Sequence, residues 1–156
     1  MAIELGGPLP PFTLSDAFGN KVSSENFKGQ NLVIYFYPRD DTPGCTKEAC
    51  GFRDLWSEIR DTGTQIVGIS PDTPQSHKNF SSKYELPFTL LSDPDKSVMA
   101  GYGAYGEKML YGRKVVGVIR STVLADAQGV VVRHWKRVPR AADHPAKVLE
   151  AVRQIK

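Results

Sequence analysis

The chain has 156 residues, 40% of them hydrophobic and 24% charged, with a formal net charge of +3. This is the composition of an ordinary globular protein, long enough for one domain (residues 1–156) with a real core. So small a positive excess excludes the strongly basic balance of a dedicated nucleic-acid binder, and no apolar run approaches the length of a membrane span, so neither nucleic acid nor a membrane is expected as a partner.

The N-terminus, MAIELGGPLPPF, carries Glu4 and several prolines where a signal peptide would need a basic start and an apolar stretch. A cytoplasmic location is expected, and a stable structural disulfide is not. FTLSD (12–16) and KVSS (21–24), joined by AFGN, predict a small hairpin. NLVIYFY (31–37) is a continuous apolar and aromatic run that stops at Pro38, the pattern of a strand buried on both faces. A helix is predicted over 43–61, with Ala49, Phe52, Leu55, Trp56 and Ile59 on one face. QIVGIS (65–70) reads as a second buried strand. A helix over 74–84 follows Thr73, and a short helical piece around 95–102 follows SDPD. STVLAD (121–126) and VVVRHW (130–135) are strands about the turn at Gln128 and Gly129. The tail, HPAKVLEAVRQIK, closes as an amphipathic helix with Val148, Leu149, Val152 and Ile155 inward. Strands alternating with helices predict an α/β domain with helices on both faces of a sheet. The densest basic stretch, VVRHWKRVPR, reads as a solvated edge strand whose Lys and Arg discourage pairing, in preference to a phosphate site with Trp135 as a stacking platform.

Both cysteines lie in DDTPGCTKEAC (40–50). Thr42 suits a helix N-cap and Pro43 the first helical position, where a missing N–H costs nothing. Cys45 then falls in the first turn, beside free backbone N–H groups and the positive end of the helix dipole, so a depressed thiol pKa is expected unless Asp40 and Asp41 lie close. Cys45 shares the apolar face with Ala49 and Phe52; Cys50 does not. Five residues apart in an ideal helix, the two Cα atoms are separated by roughly 8–9 Å, beyond the reach of about 7 Å for a disulfide. A Cys45–Cys50 bond would therefore require the first turns to unwind. Against this stands the plainer reading of buried, inert cysteines. Zinc is disfavoured, because His77, His134 and His144 show no ligand spacing with the cysteines. Glu48 reads as a solvated helix residue, Tyr37 and Trp56 as core.

YPRDDTPGCTKEAC resembles the active-site segment of peroxiredoxins, most closely the Q-type or bacterioferritin comigratory subfamily. The family pattern of proline, three residues, threonine, two residues, cysteine falls on Pro38, Thr42 and Cys45. VGISPDTPQSHKNFSSKYELPFTLLSDPD is similar to the segment downstream, and YGEKMLYGRKVVGVIRSTVLAD to the later segment whose arginine falls on Arg120. Val123, Ala125 and Tyr105 depart from residues frequent in the family and look like packing changes. The resemblance implies a thioredoxin-like fold, a mixed central sheet flanked by helices with an N-terminal hairpin. It implies Cys45 as the peroxidatic and Cys50 as the resolving cysteine, with Pro38, Thr42 and Arg120 around the reacting sulfur. It further implies a peroxide substrate, thioredoxin or glutaredoxin as reductant, no cofactor, and a monomer. Two rival readings stand beside it. A thiol–disulfide exchange enzyme of thioredoxin type would place two residues between its cysteines, not four. A non-catalytic module would keep every property after Cys45→Ser.

Overall fold

The computed structural model describes residues 3–155. The N-terminal hairpin forms from β1 (Thr13–Asp16) and β2 (Lys21–Ser23), antiparallel, with Asp16 Oδ1 accepting from the N–H groups of Phe18 and Asn20 across the turn. β3 (Asn31–Phe36) is buried along its whole length, as its uninterrupted apolar run requires. The sheet continues with β4 (Thr64–Ser70), β5 (Thr89–Ser92), β8 (Ser121–Ala125) and β9 (Val131–Trp135). A hairpin of β6 (Tyr105–Leu110) and β7 (Arg113–Val118) stands apart from it. The seven-stranded order is β2-β1-β5-β4-β3-β8-β9. β3, β4 and β5 run parallel, while β8 is antiparallel to β3 and β1 to β5, so the sheet is mixed. β9 is an edge strand, as its basic sequence suggested.

Alternation along β3 sends side chains to two cores. Val33, Tyr35 and Tyr37 face one cluster with Cys45, Ala49, Phe52, Ile59, Phe80 and Val148. That layer is built by α1 (Pro43–Asp54), α2 (Trp56–Arg60), α3 (Pro74–Tyr84) and α5 (His144–Arg153). Leu32, Ile34 and Phe36 face the second cluster, under Met99 of α4 (Ser97–Gly101) and Tyr102. Helices therefore cover both faces, and the C-terminal end of β3 feeds directly toward α1.

Several expectations need correction. The helix expected over 43–61 is two, broken at Leu55 (φ −99°, ψ 3°). The Leu55 N–H still reaches Gly51 O and its C=O still accepts from Ile59 N, so the apolar spacing passes through the break without registering it. β5 and β6 have no counterpart among the predicted strands: TLLS is too short to display a period, and much of β6 is exposed. The apolar run KVVGVI before Arg120 does read as a strand end, and β7 occupies it. The tail helix ends at Arg153; Ile155 still packs on the first core, and Lys156 lies outside the described residues.

α1 and α5 approach closely at Gly51, where an added Cβ would sit 2.7 Å from Pro145 Cγ. Gly51→Ala, although it favours helix locally, is expected to destabilise the fold by about 1–3 kcal/mol through overpacking. Urea unfolding followed by circular dichroism checks this: an unchanged or raised midpoint would contradict the contact.

Candidate active site

The site grows out of the junction between β3 and α1. Tyr37 extends the strand by one residue, its N–H donating to Ile69 O at 3.1 Å. Half-buried Pro38 ends it. The chain then turns through Asp41, which adopts a left-handed conformation (φ 57°) of the kind Asp tolerates better than most residues. Both acidic residues of this loop are committed elsewhere. Asp40 accepts from Tyr37 Oη (2.6 Å) and Ser76 Oγ (2.8 Å), and its Oδ2 lies 2.7 Å from His77 Nδ1. The Asp40 N–H donates to Asp72 Oδ2 at 2.8 Å. His77 Nε2 lies 2.9 Å from Leu91 O, which only accepts, so a ring N–H points there. The Nδ1···Oδ2 contact joins the other ring nitrogen to the carboxyl. Asp41 accepts from Lys83 Nζ and Tyr84 Oη, which hold its carboxyl below the usual range. Asp40, Asp72 and His77 form a cluster compact enough for a cation, which the spacing of His77 in sequence did not reveal. Their facing atoms are already hydrogen-bonded to one another and to Ser70 and Ser76, so the cluster reads as an anchor that pins the loop to α3.

α1 starts at Pro43 with Thr42 in N-cap geometry (φ −99°, ψ 157°), and Thr46 N donates to Thr42 O at 2.8 Å. The Thr42 hydroxyl does not cap the helix, contrary to expectation. It donates to Arg39 O at 2.9 Å, bracing the loop and leaving lone pairs on its oxygen free to accept. Cys45 is 1% exposed. Arg120, carried on the short link between β7 and β8, donates from Nη2 to Cys45 Sγ at 3.2 Å. Its Nη1 donates to Glu48 Oε1 at 2.7 Å. The guanidinium passes close to the helix backbone: a Cβ at Gly44 would stand 3.2 Å from Nη2. A larger residue there would press on the cation, so Gly44 leaves room for the reach to sulfur.

Cys45, Arg120 and the first turn of α1 thus converge, although the cysteine and the arginine stand 75 positions apart in sequence. The guanidinium and the open first-turn N–H groups both stabilise negative charge at the sulfur. Cys50 lies on the same unbroken helix, partly buried, and both thiols are free. Glu48 corrects the sequence reading: it is fully buried, not solvated. Burial pushes its carboxyl up to about 7 against the pull of Arg120, and Oε2 has no hydrogen-bond partner among the described residues. For Arg120, burial works against the charge, but Glu48 and Cys45 outweigh it and hold the guanidinium protonated. The signal for Glu48 was present in its spacing, three residues after Cys45 and beside Ala49 on the inward side.

Comparison with known proteins decides the family. The AhpC/TSA family matches residues 5–134. The chain belongs to the AhpC/TSA family, among peroxiredoxins of the Bcp and Q type. Peroxiredoxin Bcp of Bacillus subtilis is 36% identical over 155 residues, covering 99% of this chain and 98% of the relative. Chloroplastic peroxiredoxin Q of Sedum lineare is 42% identical over 154 residues, covering 99% of this chain and 80% of the relative. Among solved structures, a bacterioferritin comigratory protein of Xanthomonas campestris, described for its alkyl peroxide reduction activity, superposes with a TM-score of 0.85. It shares 39% identity and is covered over 90% of its chain and 91% of this one. A Xylella fastidiosa PrxQ mutant gives a TM-score of 0.89 at 28% identity, covering 97% of this chain and 96% of that one. The thioredoxin-like fold of these peroxiredoxins is the fold described above.

In this family member the buried Glu48 carries a stability consequence. Its folded pKa, about 7, lies above the ordinary 4.5 of the unfolded chain. Between those values the unfolded chain has lost a proton that the folded chain keeps. Against the opposite slope of His144, whose ring burial holds down at about 4, Glu48 therefore contributes a fall in stability as pH rises from about 4.5 to 7, levelling off above. Glu48→Gln is expected to remove that slope while keeping the shape of the side chain. Urea midpoints for both proteins across pH 4.5–8 check it: parallel curves would place the titration on another group.

Proposed function

We propose that this peroxiredoxin reduces hydroperoxides at Cys45, and the contact of Arg120 Nη2 with Cys45 Sγ at 3.2 Å is the observation that carries the reading. The Cys45 thiolate attacks the terminal oxygen of the hydroperoxide. The O–O bond breaks, sulfur becomes sulfenic acid, and the released alkoxide or hydroxide takes a proton to leave as alcohol or water. Charge moves from sulfur to oxygen along this path, and Arg120 with the first-turn N–H groups is positioned to follow it. Thr42, with its hydroxyl proton given to Arg39 O, offers an acceptor to the hydroperoxide O–H. Pro38, at the strand end, shields the pocket from water. With the sulfur buried, only a narrow group such as a terminal hydroperoxide reaches it.

Cys50 acts as the resolving thiol. The first turns of α1 open, Cys50 attacks the sulfenic sulfur, and water leaves as the Cys45–Cys50 disulfide forms. An external dithiol, thioredoxin or glutaredoxin, restores both thiols by exchange. No metal or cofactor enters the cycle. The reading takes the chain as a monomer working in the cytoplasm, with Lys and Arg around the edge strand β9 discouraging edge-to-edge pairing. The exchange-enzyme alternative is disfavoured by the four residues between the cysteines and by the buried position of Cys45.

Rapid mixing of reduced protein with hydrogen peroxide and with an alkyl hydroperoxide tests the proposal. Wild type is expected to lose two thiols quickly and yield one intramolecular disulfide. Cys45→Ser is expected to react no faster than free cysteine. Cys50→Ser should complete the first turnover and accumulate sulfenic acid. Arg120→Met should slow that turnover by about 10²–10³-fold. Equal rates for wild type and Cys45→Ser with both peroxides would end the reading.

Oxidation should also be visible in the helix. Amide exchange over residues 43–52 is expected to accelerate in the disulfide form, while β3 and β4 stay protected. Undiminished protection of 43–52 in verified disulfide would show that the bond forms without unwinding.

A further inference from the structure

The β6–β7 hairpin carries an exposed apolar tip that the peroxidase site does not use. Six large hydrophobic side chains are exposed among the described residues, and four of them sit here: Met109 (58%), Leu110 (48%), Tyr111 (97%) and Val116 (64%). Tyr111 and Gly112 form the two-residue turn, both with positive φ (52° and 78°). Such a turn favours Asn-Gly or Asp-Gly, and an aromatic residue at its first position is a conformational cost. A tyrosine is thus held almost fully in solvent in a backbone conformation it disfavours, which neither folding nor solubility explains.

The register shows how the tip is arranged. Met109 pairs with Lys114, Leu110 with Arg113, and Glu107 with Val116. Neighbouring residues of a strand face opposite ways. Met109 and Val116 therefore lie on one face of the hairpin and Leu110 on the other, with Tyr111 at the apex. Cations lie on both faces too, Lys114 with Met109 and Arg113 with Leu110. The hairpin holds three cations (Lys108, Arg113 and Lys114) against one acid, Glu107. Lys108 Nζ is turned back to Val118 O, so Arg113 and Lys114 are the exposed pair behind the tip.

We infer that this hairpin is a peripheral docking element for an anionic phospholipid surface, with Leu110, Tyr111 and Met109 entering the interface and Arg113 and Lys114 meeting the headgroups. A protein partner buries one face of a ribbon against a complementary patch. An apex that is apolar on both faces and flanked by cations on both suits a medium that surrounds it. Tyrosine at the headgroup level and basic residues just behind it match the polarity profile of a bilayer surface and its negative potential. The sequence-based expectation of no membrane partner rested on the lack of a spanning run, which bears on crossing a bilayer and not on resting against one.

Vesicle flotation tests the inference with the full-length protein. Phosphatidylglycerol vesicles should carry wild type upward, phosphatidylcholine vesicles should not, and about 0.5 M salt should release most of it. The double variant Leu110→Ser/Tyr111→Ser should bind at least about tenfold more weakly, with an unchanged circular dichroism spectrum and unchanged thiol loss with peroxide. Tyr111→Trp should be quenched by lipids brominated on the acyl chain. Wild type that ignores phosphatidylglycerol overturns the inference, as does full binding by the double variant, which would reduce the effect to general basic charge. Self-association abolished by the double variant, with no vesicle binding, would assign the tip to a second copy of the chain instead and also overturn it. None of these binding readouts depends on peroxidase activity.

Discussion

One cation organises the reacting end of this molecule. The Arg120 guanidinium lies between Glu48 and Cys45, 2.7 Å from the carboxylate and 3.2 Å from the sulfur. Removing one partner of a buried pair leaves the other uncompensated, at a cost of about 3–5 kcal/mol. The position of Arg120 is therefore not optional for a chain that buries Glu48. The rest of the local structure serves this geometry. β8 runs antiparallel to β3, which brings Arg120, just before β8, beside the end of β3. Gly44 leaves the space through which the guanidinium reaches sulfur. Phe52 and Ala49 fix the helix face on the core beneath.

A second anchor works on the other side of the cysteine. Asp40 ties the loop before α1 to Tyr37, Ser76 and His77, and through its backbone to Asp72. Its carboxylate is thereby turned to α3. The same hydrogen bonds fix the point at which α1 begins. If the helix opens, the loop can stay pinned while the turns after it come apart, so movement is confined to the segment between Thr42 and the packed stretch at Gly51 and Phe52.

Much of this was legible in the sequence, and the limits have physical causes. β3 declared itself through unbroken apolar character, and the start of α1 through Thr42 and Pro43, because both signals are local. The resemblance to peroxiredoxins named Arg120 from a distant segment, which no periodicity could have done. Glu48 was misjudged because a carboxylate is ordinarily solvated, and only the tertiary position of Arg120 makes its burial tolerable. The Thr42 hydroxyl reads in sequence as an acceptor for the helix N–H groups, but its donation to Arg39 O, a tertiary detail of the loop, orients it away from them. Asp40 and His77 are 37 residues apart, and nothing in either local context announces their pairing. β6 stayed hidden because its residues do not alternate as a half-buried strand would.

Glu48 also bears on how the helix lets go. It lies between Cys45 and Cys50, so any unwinding that brings the two sulfurs together must move it. While the helix is closed, burial works against ionisation of its carboxyl, and Arg120 offsets only part of that cost. On the proposed cycle, the reaction with peroxide converts a sulfur anion into neutral sulfenic acid, and Arg120 loses one of its two negative partners. The attraction holding the first turn closed weakens at the step after which opening is needed. Moving Glu48 toward water then returns its carboxyl to a range where it ionises freely near neutral pH. On the proposed cycle, a residue that helps to seat the arginine in the reduced helix thus lowers the cost of unwinding the oxidised one.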